Sequence, residues 1–346
     1  MSTKQAMLKV SDLKKHFPQK SGILQRTKNV VRAVDGISFE INEEETFSLV
    51  GESGCGKSTT GRSILRLHEP TSGEILYNGT DIMNYSKREF RNLRRDLQMI
   101  FQDPYSSLNP RMTVRNLLLE PLLTHNICSK KEAEQRIIDI AEKVGLSKEQ
   151  INRHPHEFSG GQRQRISIAR ALILNPKVVI LDEAVSALDV SIQAQILNLL
   201  IELQQELKLT YLFISHDLNV VRHVSDRVGV MYLGQMMETA KTDELYSDPL
   251  HPYTKSLLSA IPSNHPSEKK ERIILQGDVP DPSNPPSGCP FRLRCPKAHE
   301  RCAIEKPVYQ EVKENHWVAC HLYDQSNLDI TNESDYNFGE ATKVLK

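Results

Sequence analysis

The sequence predicts an α/β fold: a mostly parallel sheet covered by helices on both faces and carrying a phosphate-binding loop. Two observations lead there. In the run Phe47-Ser-Leu-Val-Gly-Glu-Ser-Gly-Cys-Gly-Lys-Ser-Thr59, an apolar strand turns through a glycine-rich loop into a helix. Further on, apolar runs at 177–181, 210–215 and 227–232 alternate with helical patterns at 190–207 and 218–224. Such alternation folds as parallel strands joined by crossover helices.

The remaining elements follow in chain order. Residues 7–12 and 30–41 alternate apolar and polar side chains as strands do, separated by a basic, polar loop at 18–29, which predicts a small antiparallel β subdomain. The helix after the phosphate loop runs from about 57 to 67, before Pro70 and Gly73 stop it. Residues 74–77 with Asn78-Gly79 read as a hairpin, and 97–101 as a short strand. From 104 to 176 strands give way to helical periodicity at 114–123, 131–144 and 161–174, an inserted helical subdomain. After Met237 a series of prolines breaks any long element, which places a boundary near residue 245 and gives a first domain at 5–245. A small cysteine-containing C-terminal extension at 246–325 follows. The polar, acidic tail at 326–346 has too few apolar residues to pack.

Composition narrows the functional classes. With 44 basic and 44 acidic side chains the formal net charge is zero, whereas a nucleic-acid binder carries a net basic field, so no nucleic-acid partner is expected. The basic run at 87–95 reads as the wet face of a short helix. No apolar run approaches the ~20 residues that span a bilayer, and residues 1–10 lack a signal-peptide core. The expectation is a soluble chain made in the cytosol, with any membrane role reached through partners.

Gly51, Gly56, Lys57 and Ser58 fit the pattern G-x-x-x-x-G-K-[ST], which a chain of this length meets by accident about one time in a hundred. Gly51, Gly54 and Gly56 let successive backbone N–H groups point inward at phosphate oxygens, and the helix starting near Lys57 adds its positive dipole end. Glu52, Ser53, Cys55 and Thr59 complete the nucleotide-binding stretch. Cys55, with no His or Cys neighbour, reads as a small loop residue rather than a redox switch. Lys57 is expected on the β- and γ-phosphates and the Ser58 hydroxyl on Mg²⁺. The apolar strand 177–181 ends in Asp182-Glu183. By itself that is a common strand end. After a phosphate loop it supplies a carboxylate for Mg²⁺ opposite Ser58, namely Asp182, and a proton acceptor toward the γ-phosphate, namely Glu183. Cys289, Cys295, Cys302 and Cys320 are spaced C-x5-C-x6-C-x17-C. Lacking the short C-x2–4-C knuckle of structural zinc, they are expected to hold a metal centre, a [4Fe–4S] cluster ahead of Zn²⁺.

Phe158-Ser-Gly-Gly-Gln-Arg-Gln-Arg165 puts Ser159, Gly160, Gly161 and Gln162 at the start of a helix, which by itself reads as a cap. This S-G-G-Q run resembles the signature of ATP-binding cassette (ABC) ATPases, P-loop NTPases, and the rest of that family's set follows in order: Gln102 of F-Q-D resembles the Q-loop, Ser186-Ala-Leu-Asp189 the D-loop, and Ser215-His216-Asp217 the switch histidine. The resemblance implies two ATPase domains in a sandwich, with each ATP held between one phosphate loop and the facing Ser159 and Gly161. It implies Gln102 sensing Mg²⁺ and the attacking water, His216 contacting the γ-phosphate, and an aromatic near the first strand, here Phe17, on the adenine.

The resemblance narrows further. The runs F-Q-D-P-Y-S-S-L-N-P-R-M from 101, D-E-A-V-S-A-L-D-V-S-I-Q-A-Q-I-L-N-L-L from 182 and H-P-Y-T-K-S-L-L-S-A-I-P from 251 look like ATPase subunits of bacterial oligopeptide and dipeptide importers, with Ala184-Val185 resembling the F-type of the two paired subunits. What this implies is a subunit at the cytoplasmic face of the plasma membrane that works with a second ATPase subunit as a heterodimer, two permease subunits and a solute-binding protein. Such importers also carry a C-terminal cysteine pattern associated with iron–sulfur clusters. A nickel or metal-chelate importer shares much of the pattern. A soluble ABC ATPase of translation or repair lacks support, since neither a second phosphate loop nor sustained heptads occur, and Glu183 with His216 argues against a non-hydrolysing partner.

Overall fold

The computed structural model describes residues 6–21, 26–261 and 272–324; the polar stretch from 326 onward lies outside them. In chain order, β1 (Ala6–Ser21) and β2 (Arg26–Asn42) precede β3 (Thr46–Val50), which feeds the phosphate loop and α1 (Lys57–Ile64). Then come the hairpin β4 (Ser72–Tyr77) and β5 (Thr80–Asp81), α2 (Lys87–Leu93) and β6 (Leu97–Ile100). A helical stretch follows: α3 (Pro104–Ser107), α4 (Val114–Thr124), α5 (Lys130–Lys143) and α6 (Gly160–Leu172). The strands β7 (Val178–Asp182), β8 (Thr210–Ile214) and β9 (Arg227–Tyr232) alternate with α7 (Val190–Leu207) and α8 (Leu218–Val224). After β10 (Gln235–Lys241) lie α9 (Thr242–Ser247), α10 (Pro252–Ser259), α11 (Glu300–Ile304), β11 (Gln310–Lys313) and β12 (His316–Val318).

Two sheets result. β2-β1-β4-β5 form a four-stranded antiparallel sheet, and β11-β12-β10-β9-β3-β8-β7-β6 an eight-stranded one whose segment from β9 to β6 is parallel. β3, β7 and β8 are buried throughout, as continuous apolar runs covered on both faces must be. Their register sets the site. Ile214 pairs with Leu49 on one side and Asp182 on the other, so the end of β3 and the carboxylate of β7 emerge at the same level.

Three local features differ from the sequence pattern. The β1–β2 hairpin runs through the expected loop at 18–29, pairing Pro18 with Val30 and Gln19 with Asn29. Backbone ladder bonds sustain these strands where Pro18, Gln19, Asn29 and Val30 are exposed, so hydrophobic alternation is silent there. Helix α1 stops at Ile64, and Arg66 takes a left-handed φ of 47° without any glycine or proline at that point. The β11–β12 hairpin adds two strands to the main sheet in a segment whose prolines suggested only breaks.

A buried carboxylate ties that hairpin in. Glu238 on β10 is fully buried; its Oε1 accepts from the Leu250 N–H (2.7 Å) and pairs with His316 Nε2 (2.7 Å), while its Oε2 accepts from the His251 N–H (2.9 Å). Three partners offset the cost of removing the group from water. Next to it, His251 accepts the Tyr253 N–H on Nδ1 at 3.0 Å and caps α10. Burial holds its pKa down to about 4 from an ordinary 6.5, outweighing the opposite pull of Glu238.

The sign of this shift is definite. Above 6.5 the ring is neutral whether the chain is folded or not; below it the unfolded chain takes up a proton the folded chain refuses, until about pH 4. Stability therefore falls on acidification through this window at up to ~1.4 kcal/mol per pH unit. Thermal melts of the full chain between about pH 7 and pH 5 should show a shallower decline in His251→Asn, which keeps a capping acceptor but does not titrate. Equal slopes in the two proteins would refute this assignment.

Candidate functional site

The phosphate loop is held against its neighbours by backbone contacts that leave no room for a side chain at Gly51 or Gly56. A Cβ at Gly51 would stand 2.2 Å from the Met231 carbonyl oxygen, and one at Gly56 2.1 Å from that of Ala33, with φ of 146° and 106°. Both positions therefore require glycine. Lys57 is buried within the loop, and its Nζ donates to the carbonyls of Gly51 (2.8 Å) and Glu52 (3.1 Å). Cys55 is buried beside it; burial raises the thiol's pKa more than the Lys57 charge lowers it, which keeps the sulfur an unreactive thiol.

Ser58 and Asp182 lie 124 residues apart, and the Ser58 hydroxyl donates to Asp182 Oδ1 at 2.5 Å. Asp182 is 1 % exposed, and its Oδ2 lies 3.3 Å from Arg62 Nη2, a residue the motif reading missed because arginine one turn after Ser58 has no signature. A hydroxyl and a carboxylate oxygen side by side are hard donors. They fit Mg²⁺, which takes one or two carboxylates and completes its shell with water and phosphate oxygens.

Glu183 adopts a left-handed φ of 49°, which costs a non-glycine residue about 1–2 kcal/mol. Its carboxylate is met from two sides: Gln102 Nε2 donates to Oε2 at 2.9 Å, and His216 Nδ1 lies 3.4 Å from Oε1. Three side chains from separate parts of the chain thus converge on one point beside the Ser58–Asp182 pair. Ser186, whose Oγ lies 3.5 Å from Gln102 Nε2 and donates to the Glu183 carbonyl, belongs to the same network. The arrangement can bind a hard cation, hold a water and accept its proton.

The other candidates stand elsewhere. Ser159 caps α6, accepting from the Gln162 N–H, while the Gln162 side chain accepts from the Ser159 N–H in a capping box. Gly161 packs against α7, where a Cβ would meet Ile192 Cγ2 at 2.4 Å. Ser159, Gly160 and Asp189 are exposed. Phe17 sits on β1 with its ring edge-on to His68 (5.5 Å) and Lys15 Nζ 4.7 Å from its centroid.

The expectation of a metal centre at the cysteines is corrected. Among the described residues no group of three or more His, Cys, Asp or Glu side chains is placed to hold a metal ion, and Cys289, Cys295, Cys302 and Cys320 are free. Burial pushes Cys289 up to about 11 and Cys295 and Cys320 up to about 12, so these free side chains are neutral thiols at neutral pH. Instead Cys289 and Cys302 join the main hydrophobic core, with the Cys289 N–H donating to the Cys302 carbonyl at 2.8 Å. They behave as small buried hydrophobes.

Residues 34–186 match the family model described as ABC transporter, and 237–302 match that described as oligopeptide/dipeptide transporter, C-terminal region. The chain is 54 % identical over 325 residues to the oligopeptide transport ATP-binding protein AppF of Bacillus subtilis (strain 168), covering 93 % of this chain and 99 % of that one. It resembles the dimeric post-hydrolysis state of the ATP-binding cassette MJ0796 bound to ADP and Pi, with a TM-score of 0.61 and 30 % identity over 68 % of this chain and 99 % of that one. It also resembles cbiO1 from Clostridium perfringens, part of the ABC transporter complex cbiONQ, with a TM-score of 0.61 and 29 % identity over 70 % of this chain and 91 % of that one. These likenesses do not favour a metal-chelate importer or a soluble ATPase of translation or repair. The chain belongs to the ATP-hydrolysing ATP-binding proteins of ABC transporters, in the group that carries the oligopeptide/dipeptide transporter C-terminal region.

Proposed function

We propose that this protein is the ATPase subunit that powers oligopeptide or dipeptide uptake through separate membrane-spanning and solute-binding subunits. The observation that carries the catalytic part is the convergence of Gln102 and His216 on the Glu183 carboxylate beside the Ser58–Asp182 pair. The peptide reading is supported by the C-terminal match and by the likeness to AppF. Among the described residues no helix is long and apolar enough to cross a membrane, which agrees with attachment at the cytoplasmic face through partner subunits.

In this reading the backbone of 51–59 and the Lys57 ammonium bind the phosphates, and Ser58 and Asp182 hold Mg²⁺, which when bound neutralises charge on the phosphate oxygens. Glu183 accepts the proton of the attacking water, Gln102 orients that water, and His216 steadies the γ-phosphate. Phe17 is assigned to the adenine. The exposed Ser159, Gly160 and Asp189, together with Val190, an apolar side chain 84 % exposed at the head of α7, suit a surface that is covered when a second ATPase subunit docks. That subunit is a different chain in a heterodimer. An exposed signature beside its own buried core is supplied for the facing site rather than its own.

Two outcomes are expected. In the assembled transporter Glu183→Gln retains ATP binding but lowers turnover by ~10²–10⁴-fold, the usual loss with a general base; turnover near that of the unmodified protein would exclude the role. The purified chain alone should bind Mg-ATP and hydrolyse it slowly, with activity rising when the partner ATPase is added. Full turnover at dilutions where the chain is strictly monomeric, checked by analytical ultracentrifugation, would rule out shared sites.

A further inference from the structure

Glu52, the second residue of the phosphate loop, is gripped by the C-terminal part of the chain. Arg294 donates through Nη1 to Glu52 Oε2 (2.7 Å) and through Nη2 to Oε1 (3.0 Å), a bidentate pair between residues 242 apart in sequence. The Glu52 N–H donates to Tyr253 Oη at 2.9 Å, and the Glu52 carbonyl accepts from Lys57 Nζ at 3.1 Å. Each polar group of this residue is therefore fixed, two of the three by groups beyond β10. The grip is itself rigid. The Arg294 side chain is 9 % exposed, with its Nη1 3.5 Å from Tyr232 Oη and its guanidinium carbon 5.9 Å from the Tyr232 ring centroid. Phe291, three residues earlier, is fully buried against the rings of Tyr232 (5.3 Å) and Tyr253 (5.2 Å).

A loop that binds phosphate through backbone N–H groups binds best when those groups are aimed beforehand, because ordering on binding subtracts from affinity. Planar, two-pronged pairing fixes direction as well as distance. We propose that Arg294 is a positioning residue for ATP, acting with Tyr253 through Glu52 to hold the phosphate loop in its binding shape, so that the C-terminal extension sets nucleotide affinity. No contact of Arg294 with the nucleotide is required.

The test measures Mg-ATP binding to the full-length chain by calorimetry, with melting of the nucleotide-free protein as the control for folding. Arg294→Met is expected to weaken binding about five- to tenfold, and Arg294→Lys, with one prong left, by less. Glu52→Gln should lose a similar factor, and Arg294→Met combined with Glu52→Gln should be no weaker than either alone, since both break one link. In the assembled transporter the change should fall on KM for ATP rather than on kcat. Unchanged affinity in a folded Arg294→Met chain would overturn the proposal. So would recovery of affinity in the double variant, which would make Arg294 merely a counter-charge for Glu52, or strictly additive losses. Should Arg294→Met fail to fold, Glu52→Gln, which leaves the extension's own packing intact, decides the matter by the same affinity measurement.

Discussion

The hydrogen bond from Ser58 to Asp182 depends on a pairing register, and the site depends on that bond. Ser58 follows β3 by one loop, while Asp182 ends β7, and the two strands never touch: β8 lies between them. Because Ile214 pairs with both Leu49 and Asp182, the hydroxyl and the carboxylate reach the same level above the sheet. Shifting either pairing by one residue would move the carboxylate by about 3.3 Å and turn it to the other face. Burial of β3, β7 and β8 on both sides is what prevents such a slip.

Around this fixed pair the site carries a strained residue. Glu183 keeps its left-handed backbone because its N–H bonds the Ile214 carbonyl at 3.0 Å and its own carbonyl receives the Ser186 hydroxyl at 3.0 Å. The strain turns the carboxylate toward Gln102 and His216 instead of along the strand. A strained φ at this point in the chain is the feature expected where a side chain must be aimed rather than merely accommodated.

What could be read in the sequence was what is local. The phosphate loop, the apolar strands that flank it and the helices α7 and α8 depend on spacing and period within short windows. Contacts such as Arg62 with Asp182, Glu238 with His316 and Arg294 with Glu52 join side chains of ordinary type at arbitrary separations, and nothing in a linear pattern marks them. The outer half of the β1–β2 hairpin escaped for a related reason, since its ladder is made of backbone groups and its side chains are polar. The cysteines show the opposite error. Four thiols in one segment suggested a metal centre, but spacing along the chain does not say whether buried thiols form a ligand set or simply fill apolar space; among the described residues they form no such set.

The β11–β12 hairpin also changes what the main sheet offers to its surroundings. Without it β10 would end the sheet with Glu238 and Thr239 on an open ladder, and such an edge invites pairing with any extended chain nearby. β12 closes that ladder and passes the edge to β11, only four residues long and carrying Glu311 and Lys313. Short, charged edge strands pair poorly with strangers. The C-terminal part of this protein thus serves as a selvedge: it finishes the sheet so that association with other chains is left to faces and loops.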